Sequence, residues 1–123
     1  ACRYFGLGIL PYFPLAGGFL VGKYTEGAPA PVGSRGESNE YVQKYMTSGN
    51  FAILHRLTEF AGRFGKTLGD LAHAWLLAHP EVSSVISGAT RVEHVIANAG
   101  ASGWTMTQEE LEEVNGLLGA AGD

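Results

Sequence analysis

Apolar residues along this chain fall into three patterns, and each predicts a different kind of element. The first is nearly continuous: residues 7–15 carry Leu7, Ile9, Leu10, Tyr12, Phe13 and Leu15. Continuous rather than alternating apolar positions suit a strand buried on both faces, as in a parallel sheet. Pro11 and Pro14 remove backbone donors, so the run predicts a short strand over residues 7–12 that ends before Pro14. A β-branched run over residues 82–86 predicts a second short strand. The second pattern is helical. Ile53, Leu54, Leu57, Phe60, Ala61 and Phe64 recur at spacings of three and four and mark one buried face. Leu71, Ala72, Trp75, Leu76 and Ala78 mark another helix, which Pro80 stops. Val95, Ile96 and Ala99 mark a third, and Leu111, Val114, Leu117 and Leu118 a fourth. Tyr41, Val42 and Tyr45 give a weaker stripe in a short helix that starts near Asn39.

Local signals bound these helices. Asn50 is placed to cap the first long helix, and Gly65 to end it in the left-handed conformation. Thr67 with Asp70, Thr90 with Glu93 and Thr107 with Glu110 have capping-box spacing at the next three starts. Gly100 or Gly103 closes the helix that follows Thr90. The third pattern is rich in glycine and proline. Residues 16–24 alternate glycines with apolar residues and suit a helical turn or loop. Residues 25–38 hold Gly27, Pro29, Pro31, Gly33 and Gly36 and form the clearest loop, long enough to suspect a functional role.

The order strand, loop, helices, strand, helix, helix predicts an α/β fold built from parallel βαβ units. Two parallel strands alone leave their edges and inner faces without partners. Charged residues make up only 16% of the chain, against a usual share of about 25%, which fits surfaces made for further strands. At 123 residues the chain is one domain at most. A complete (β/α)8 barrel needs about 250 residues. The chain begins at Ala1 rather than methionine, which suggests a processed protein or a piece of a longer one.

A net charge of −4 with no basic stripe argues against nucleic acid as a partner. Glu109, Glu110, Glu112 and Glu113 read as a solvated helix face. No apolar run reaches the length of about 18 residues that a membrane helix needs, and no signal peptide is evident. The lone Cys2 excludes an internal disulfide and fits a reducing compartment, so a cytoplasmic location is expected. His73 and His79 lack the spacing of a metal-ligand pair on one helix face; with His55 they are expected as packing or surface groups, and no metal site is expected.

Ligands of parallel α/β folds gather beyond the carboxyl ends of the strands. Here those ends read Tyr12-Phe13-Pro14-Leu15-Ala16-Gly17-Gly18 and Ile86-Ser87-Gly88-Ala89-Thr90-Arg91. Their glycines let backbone approach a ligand closely. The second end also opens a helix, whose free N–H groups and dipole favour a phosphate, and Arg91 adds a guanidinium.

These residues carry a resemblance. Pro14-Leu15-Ala16-Gly17-Gly18-Phe19-Leu20-Val21-Gly22-Lys23-Tyr24 resembles the segment after the seventh barrel strand of aldo-keto reductases. Val85-Ile86-Ser87-Gly88-Ala89-Thr90-Arg91-Val92-Glu93-His94-Val95-Ile96-Ala97-Asn98 resembles the segment after the eighth. Leu71-Ala72-His73-Ala74-Trp75-Leu76-Leu77 is similar to the helix between them, and the bacterial reductases akin to potassium-channel β-subunits are the expected branch. The resemblance implies that residues 1–123 are the C-terminal part of a (β/α)8 TIM barrel, about the last two βα units plus a C-terminal helix. It implies NADP(H) as cofactor and a small aldehyde or ketone as substrate. Tyr12 matches the aromatic position that stacks on the nicotinamide. Leu15 and Gly17, with backbone of Ala16 and Gly18, match the wall around the pyrophosphate, and Lys23 belongs to the family's Gly-Lys pair. Gly88, Ala89, Thr90 and Arg91 match the loop that holds the adenosine phosphate, and Asn98 the asparagine that binds adenine.

Three positions depart from the family. Phe13 stands where many relatives have serine, Ser87 where proline is frequent, and His94 where Gln or Arg is common. The last is a weaker charge partner for a 2′-phosphate and leaves the choice between NADPH and NADH open. The family's catalytic aspartate, tyrosine, lysine and histidine fall, by the resemblance, in barrel strands before Ala1. No catalytic residue is therefore expected in this chain, nor are the N-terminal strands of the barrel, and the fragment alone is expected to be inactive. Tyr4, Tyr24, Tyr41 and Tyr45 are not assigned that role. Two other readings remain: a nucleotide-sensing regulatory subunit of the channel β-subunit kind, with residues 25–48 as partner surface, and a stand-alone α/β binding domain.

Overall fold

The computed structural model describes residues 1–119. They form α1 (Cys2–Phe5), a 3-10 helix (Ala16–Val21), α2 (Arg35–Ser38), α3 (Glu40–Gln43), α4 (Ser48–Arg63), α5 (Leu68–Leu77), α6 (Val92–Ala101) and α7 (Gln108–Gly119). The long helices follow the apolar spacing. α4 buries Leu54, Leu57, Phe60 and Ala61, and α5 buries Leu68, Leu71, His73 and Ala74. α5 is central: it packs against α4, α6 and the 3-10 helix, and α7 lies on α4. Phe60, Phe64 and Trp104 cluster at the α4 end, with Phe60 and Trp104 nearly parallel at 6.3 Å between centroids. The Arg63 guanidinium lies 4.7 Å from the Phe60 centroid and donates to Glu113, which ties α4 to α7.

The expected strands shrink to one parallel bridge, Ile9 to Val82. Its two hydrogen bonds run from Ile9 N to Glu81 O at 2.7 Å and from Ser83 N to Ile9 O at 2.9 Å. The pairing direction is as expected, but the ladder goes no further among the described residues. Pro11 has no N–H to give, and Phe13 turns into the left-handed region at φ 60°, so the chain cannot stay extended beyond Ile9 for long. Arg3 of α1 clips onto the same edge by donating to Glu81, and holds that carboxyl below the usual carboxylate range.

Caps differ from expectation in three places. Thr47, not Asn50, caps α4: its hydroxyl accepts from Asn50 N at 3.3 Å. Asn50 sits inside the helix, and its side chain donates to Tyr45 O at 2.9 Å. The Thr90 box does not form, because α6 begins one residue late, with Arg91 at the N-cap and His94 where a box needs an acid. Ser102 rather than a glycine follows α6, although Gly103 N does return to Gly100 O at 3.1 Å. The other signals act as read. Gly65 is left-handed at φ 65° after α4, and Asn39 accepts from Tyr41 N and Val42 N to cap α3. Thr107 and Glu110 exchange bonds at the start of α7.

Thr67 and Asp70 form a complete capping box on α5. Thr67→Ala should lower stability by about 1 kcal/mol in urea denaturation, while Thr67→Ser stays near wild type. An unchanged midpoint for Thr67→Ala would mean the box adds nothing to α5.

Candidate functional site

A cleft of about 650 Å³ opens between the two segments that follow Ile9 and Val82. Such a volume lies within the usual range for small-molecule sites. Of the twelve binding residues expected from sequence, nine line it: Leu15, Gly17, Gly18, Lys23, Gly88, Ala89, Thr90, His94 and Asn98. Tyr12, Ala16 and Arg91 do not. Tyr12 is 94% exposed and stacks on Phe13, with 5.8 Å between ring centroids. Ala16 is buried in the core at φ 46°, and Arg91 is exposed at the N-cap of α6.

One wall is the 3-10 segment. Gly17 and Gly18 both have positive φ, 66° and 102°, as do Ala16 just before them and Phe13 further upstream. A Cβ on Gly17 would sit 2.5 Å from Val42 Cγ2 and 2.8 Å from Phe13 Cζ, so glycine is needed for space as well as conformation. The stem of Lys23 packs over Gly18, where a side chain would crowd it at 3.2 Å.

The opposite wall is the 88–90 turn and the start of α6. No backbone carbonyl of the described residues accepts from the N–H of Gly88, Ala89 or Thr90. These exposed N–H groups are therefore not used by the fold and are left to solvent or to a ligand. Thr90 Oγ1 and His94 Nδ1 lie 3.5 Å apart beside it.

A third side was not foreseen by residue. Residues 25–38 fold back so that Gly33, Ser34 and Arg35 face the cleft. The anchor is Tyr24, a buried side chain whose hydroxyl donates to Gly17 O at 2.8 Å and accepts from Gly36 N at 3.0 Å. Arg35 also lies over the Phe13 ring, 5.6 Å from its centroid. Ser34 is buried, and its hydroxyl finds no hydrogen-bond partner among the described residues. A buried hydroxyl without a partner at the edge of a cleft calls for a ligand or water. The sequence signal for this side is the loop's length; nothing local marks the Ser34-Arg35 pair inside it. Thr67, Asp70 and His73 of α5 form the floor. Asp70 accepts from Thr67 N at 2.8 Å and from its hydroxyl at 2.7 Å.

Together these groups suit an extended anion: free N–H groups on one wall, Lys23 and Arg35 on the others, and an orphan hydroxyl between. Among the described residues no three His, Cys, Asp or Glu side chains gather as a metal site. None of the described helices is long and apolar enough to cross a membrane.

Comparisons with known proteins agree with one another. The sequence pattern of the Aldo/keto reductase family matches residues 1–118. An L-glyceraldehyde 3-phosphate reductase of Escherichia coli (strain K12) is 33% identical over 114 residues, 89% of this chain and 33% of the relative. A probable voltage-gated potassium channel subunit beta of Arabidopsis thaliana is 40% identical over 96 residues, 76% of this chain and 29% of the relative. The fold is shared with a glycerol dehydrogenase from Gluconobacter oxydans at TM-score 0.79 and 23% identity, over 98% of this chain and 36% of the other. The chain thus spans about a third of the length of the curated relatives it matches.

The Tyr24 hydroxyl gives the site its most direct structural test. Tyr24→Phe leaves the Gly36 N–H buried without its acceptor and should destabilise the protein by about 1–3 kcal/mol in chemical denaturation. A loss below a few tenths would show that the loop is held by packing alone.

Proposed function

The chain belongs to the aldo/keto reductase family, and we propose that it is the C-terminal part of that family's (β/α)8 barrel and holds NADP(H) in the cleft. The observation that carries the reading is the cleft itself. It brings two sequence-distant glycine turns together and surrounds them with free N–H groups, two cations and the unpartnered Ser34 hydroxyl. Phosphates need such donors, so the residues present fit the cofactor.

In this reading the N–H groups of Gly88, Ala89 and Thr90 hold the adenosine phosphate, and Arg91 and His94 add to its recognition. Lys23 and Arg35 balance phosphate charge, and Ser34 offers a hydroxyl donor. Leu15, Gly17 and Gly18, with backbone of Ala16, wall the pyrophosphate. Asn98 takes the adenine, and Tyr12 offers its exposed ring to the nicotinamide. Bound there, NADPH supplies the hydride that reduces a small aldehyde or ketone. This chain binds and orients; the proton-donating groups belong to the other part of the barrel. Leu7, Leu10, Ile86, Val95 and Ile96, each 57–67% exposed, are the surface on which that other part packs.

Similarity to a probable channel β subunit, 40% identical over 96 residues, favours a second reading. In it the barrel binds nucleotide with little turnover and acts as a regulatory subunit. Steady-state NADPH oxidation with aldehydes, on the polypeptide that carries this chain, separates the two.

Titration of nucleotide fluorescence should show NADPH binding. Arg35→Ala should weaken it about tenfold or more, the size expected for hydrogen bonds to a charged group. Arg91→Ala should weaken NADPH more than NADH; equal weakening would remove Arg91 from the 2′-phosphate. A protein that binds neither nucleotide overturns the reading.

A further inference from the structure

His73 lies buried in α5 with both ring nitrogens engaged. Nδ1 is 2.7 Å from Gly69 O, a group that only accepts, so Nδ1 carries the proton of the neutral ring. Nε2 is then an acceptor, and the Ser87 hydroxyl donates to it across 2.6 Å. This bond joins the buried helix to the residue just before Gly88, Ala89 and Thr90. Upstream of Ser87, the Ile9 bridge reaches the segment only at Glu81, Val82 and Ser83. Downstream, α6 does not begin until Val92. Between these anchors no backbone hydrogen bond holds the exposed 88–90 turn among the described residues. A proline at position 87 would stiffen the chain through its ring. Here a side-chain hydrogen bond fills that role.

We propose that His73 is a positioning residue for the nucleotide: through Ser87 it holds the 88–90 turn in the shape that receives the adenosine phosphate. The phosphate half of this statement rests on the cofactor reading above; the latch between His73 and Ser87 does not.

The latch is tested without nucleotide. Backbone ¹⁵N order parameters at Gly88 and Ala89 should fall in Ser87→Ala from the rigid range toward about 0.6, the upper edge of the flexible range. Ser87→Thr, which keeps a hydroxyl, should restore them. Imidazole ¹⁵N shifts of the wild type should report the Nδ1–H tautomer. The functional half is tested by calorimetric titration with 2′,5′-ADP and, separately, with nicotinamide mononucleotide. Ser87→Ala should weaken 2′,5′-ADP about three- to tenfold, the worth of one net hydrogen bond. His73→Leu should do the same, the double variant no worse than either single one, and mononucleotide affinity should stay constant. If His73→Leu does not fold, the Ser87 variants carry the test alone. Unchanged order parameters in Ser87→Ala, or equal weakening of both ligands, overturns the proposal. A wild type that ignores 2′,5′-ADP overturns the cofactor reading instead, and the order parameters still decide the latch.

Discussion

The Tyr24 hydroxyl is the contact on which the shape of the cleft depends. It bridges a carbonyl of the 3-10 segment and an N–H of α2, and so ties together two stretches separated by the 25–33 loop. Burying a phenol is favourable only when its hydroxyl is satisfied on arrival. Here both its donor and one acceptor position are used. The surrounding sequence makes room for the ring. A Cβ on Gly36 would stand 2.6 Å from Tyr24 Cε1 and 2.5 Å from Met46 Cε. Gly36 is therefore required by close approach, not by an unusual backbone angle. Once this tie forms, the 25–38 loop must return across the cleft, and Ser34 and Arg35 arrive opposite the 88–90 turn.

α5 is the floor on which both walls stand. Its capping box fixes the start of the helix, and its buried face joins the core of α4. Thr67 and Asp70 at its start line the cleft, together with the edge of the buried His73. One helix thus supplies rigidity through leucines and local order through polar contacts. The 88–90 turn above it is the opposite kind of element: it is exposed and adds nothing to the core, so its geometry depends on a few directed bonds, whereas the 3-10 segment is anchored by buried Ala16 and Phe19. This division matches a site that needs backbone donors: such donors are useful only when loops are short of side chains and still held in place.

What was legible in the sequence was what local chemistry decides. The boxes at Thr67 and Thr107 form because every atom they need lies within four residues. Gly65 ends α4 for the same reason. The two glycine turns stand out by composition at the strand ends, the individual residues expected around them come from the family resemblance, and nine of those twelve line one cleft. Misreadings began where a neighbour decides. Thr47 and Asn50 are both good caps, and the choice turned on where the preceding short helix delivers the chain. The strand runs at Ile9 and Val82 pair in the expected direction but form one bridge, because a ladder is a property of several strands and not of one. No local pattern marks Ser34 and Arg35, because the Tyr24 tie, formed across the loop, is what brings them to the site.

The charges complete the account of why this cleft suits an anion in a chain with more acidic than basic residues. Arg3 and Arg63 each donate to a glutamate, Glu81 and Glu113, and those contacts fasten elements together. Lys23 and Arg35 make no ion pair among the described residues, and both line the cleft. They are positioned by other means. The Lys23 stem lies against Gly18, and Arg35 stands over the Phe13 ring. An aromatic face attracts a guanidinium by about 0.5–1 kcal/mol at an exposed site without neutralising it. A carboxylate would hold it more firmly but cancel the charge. Phe13, at the position where a serine hydroxyl is common in the family, therefore has a use: it orients a cation that remains available to a phosphate.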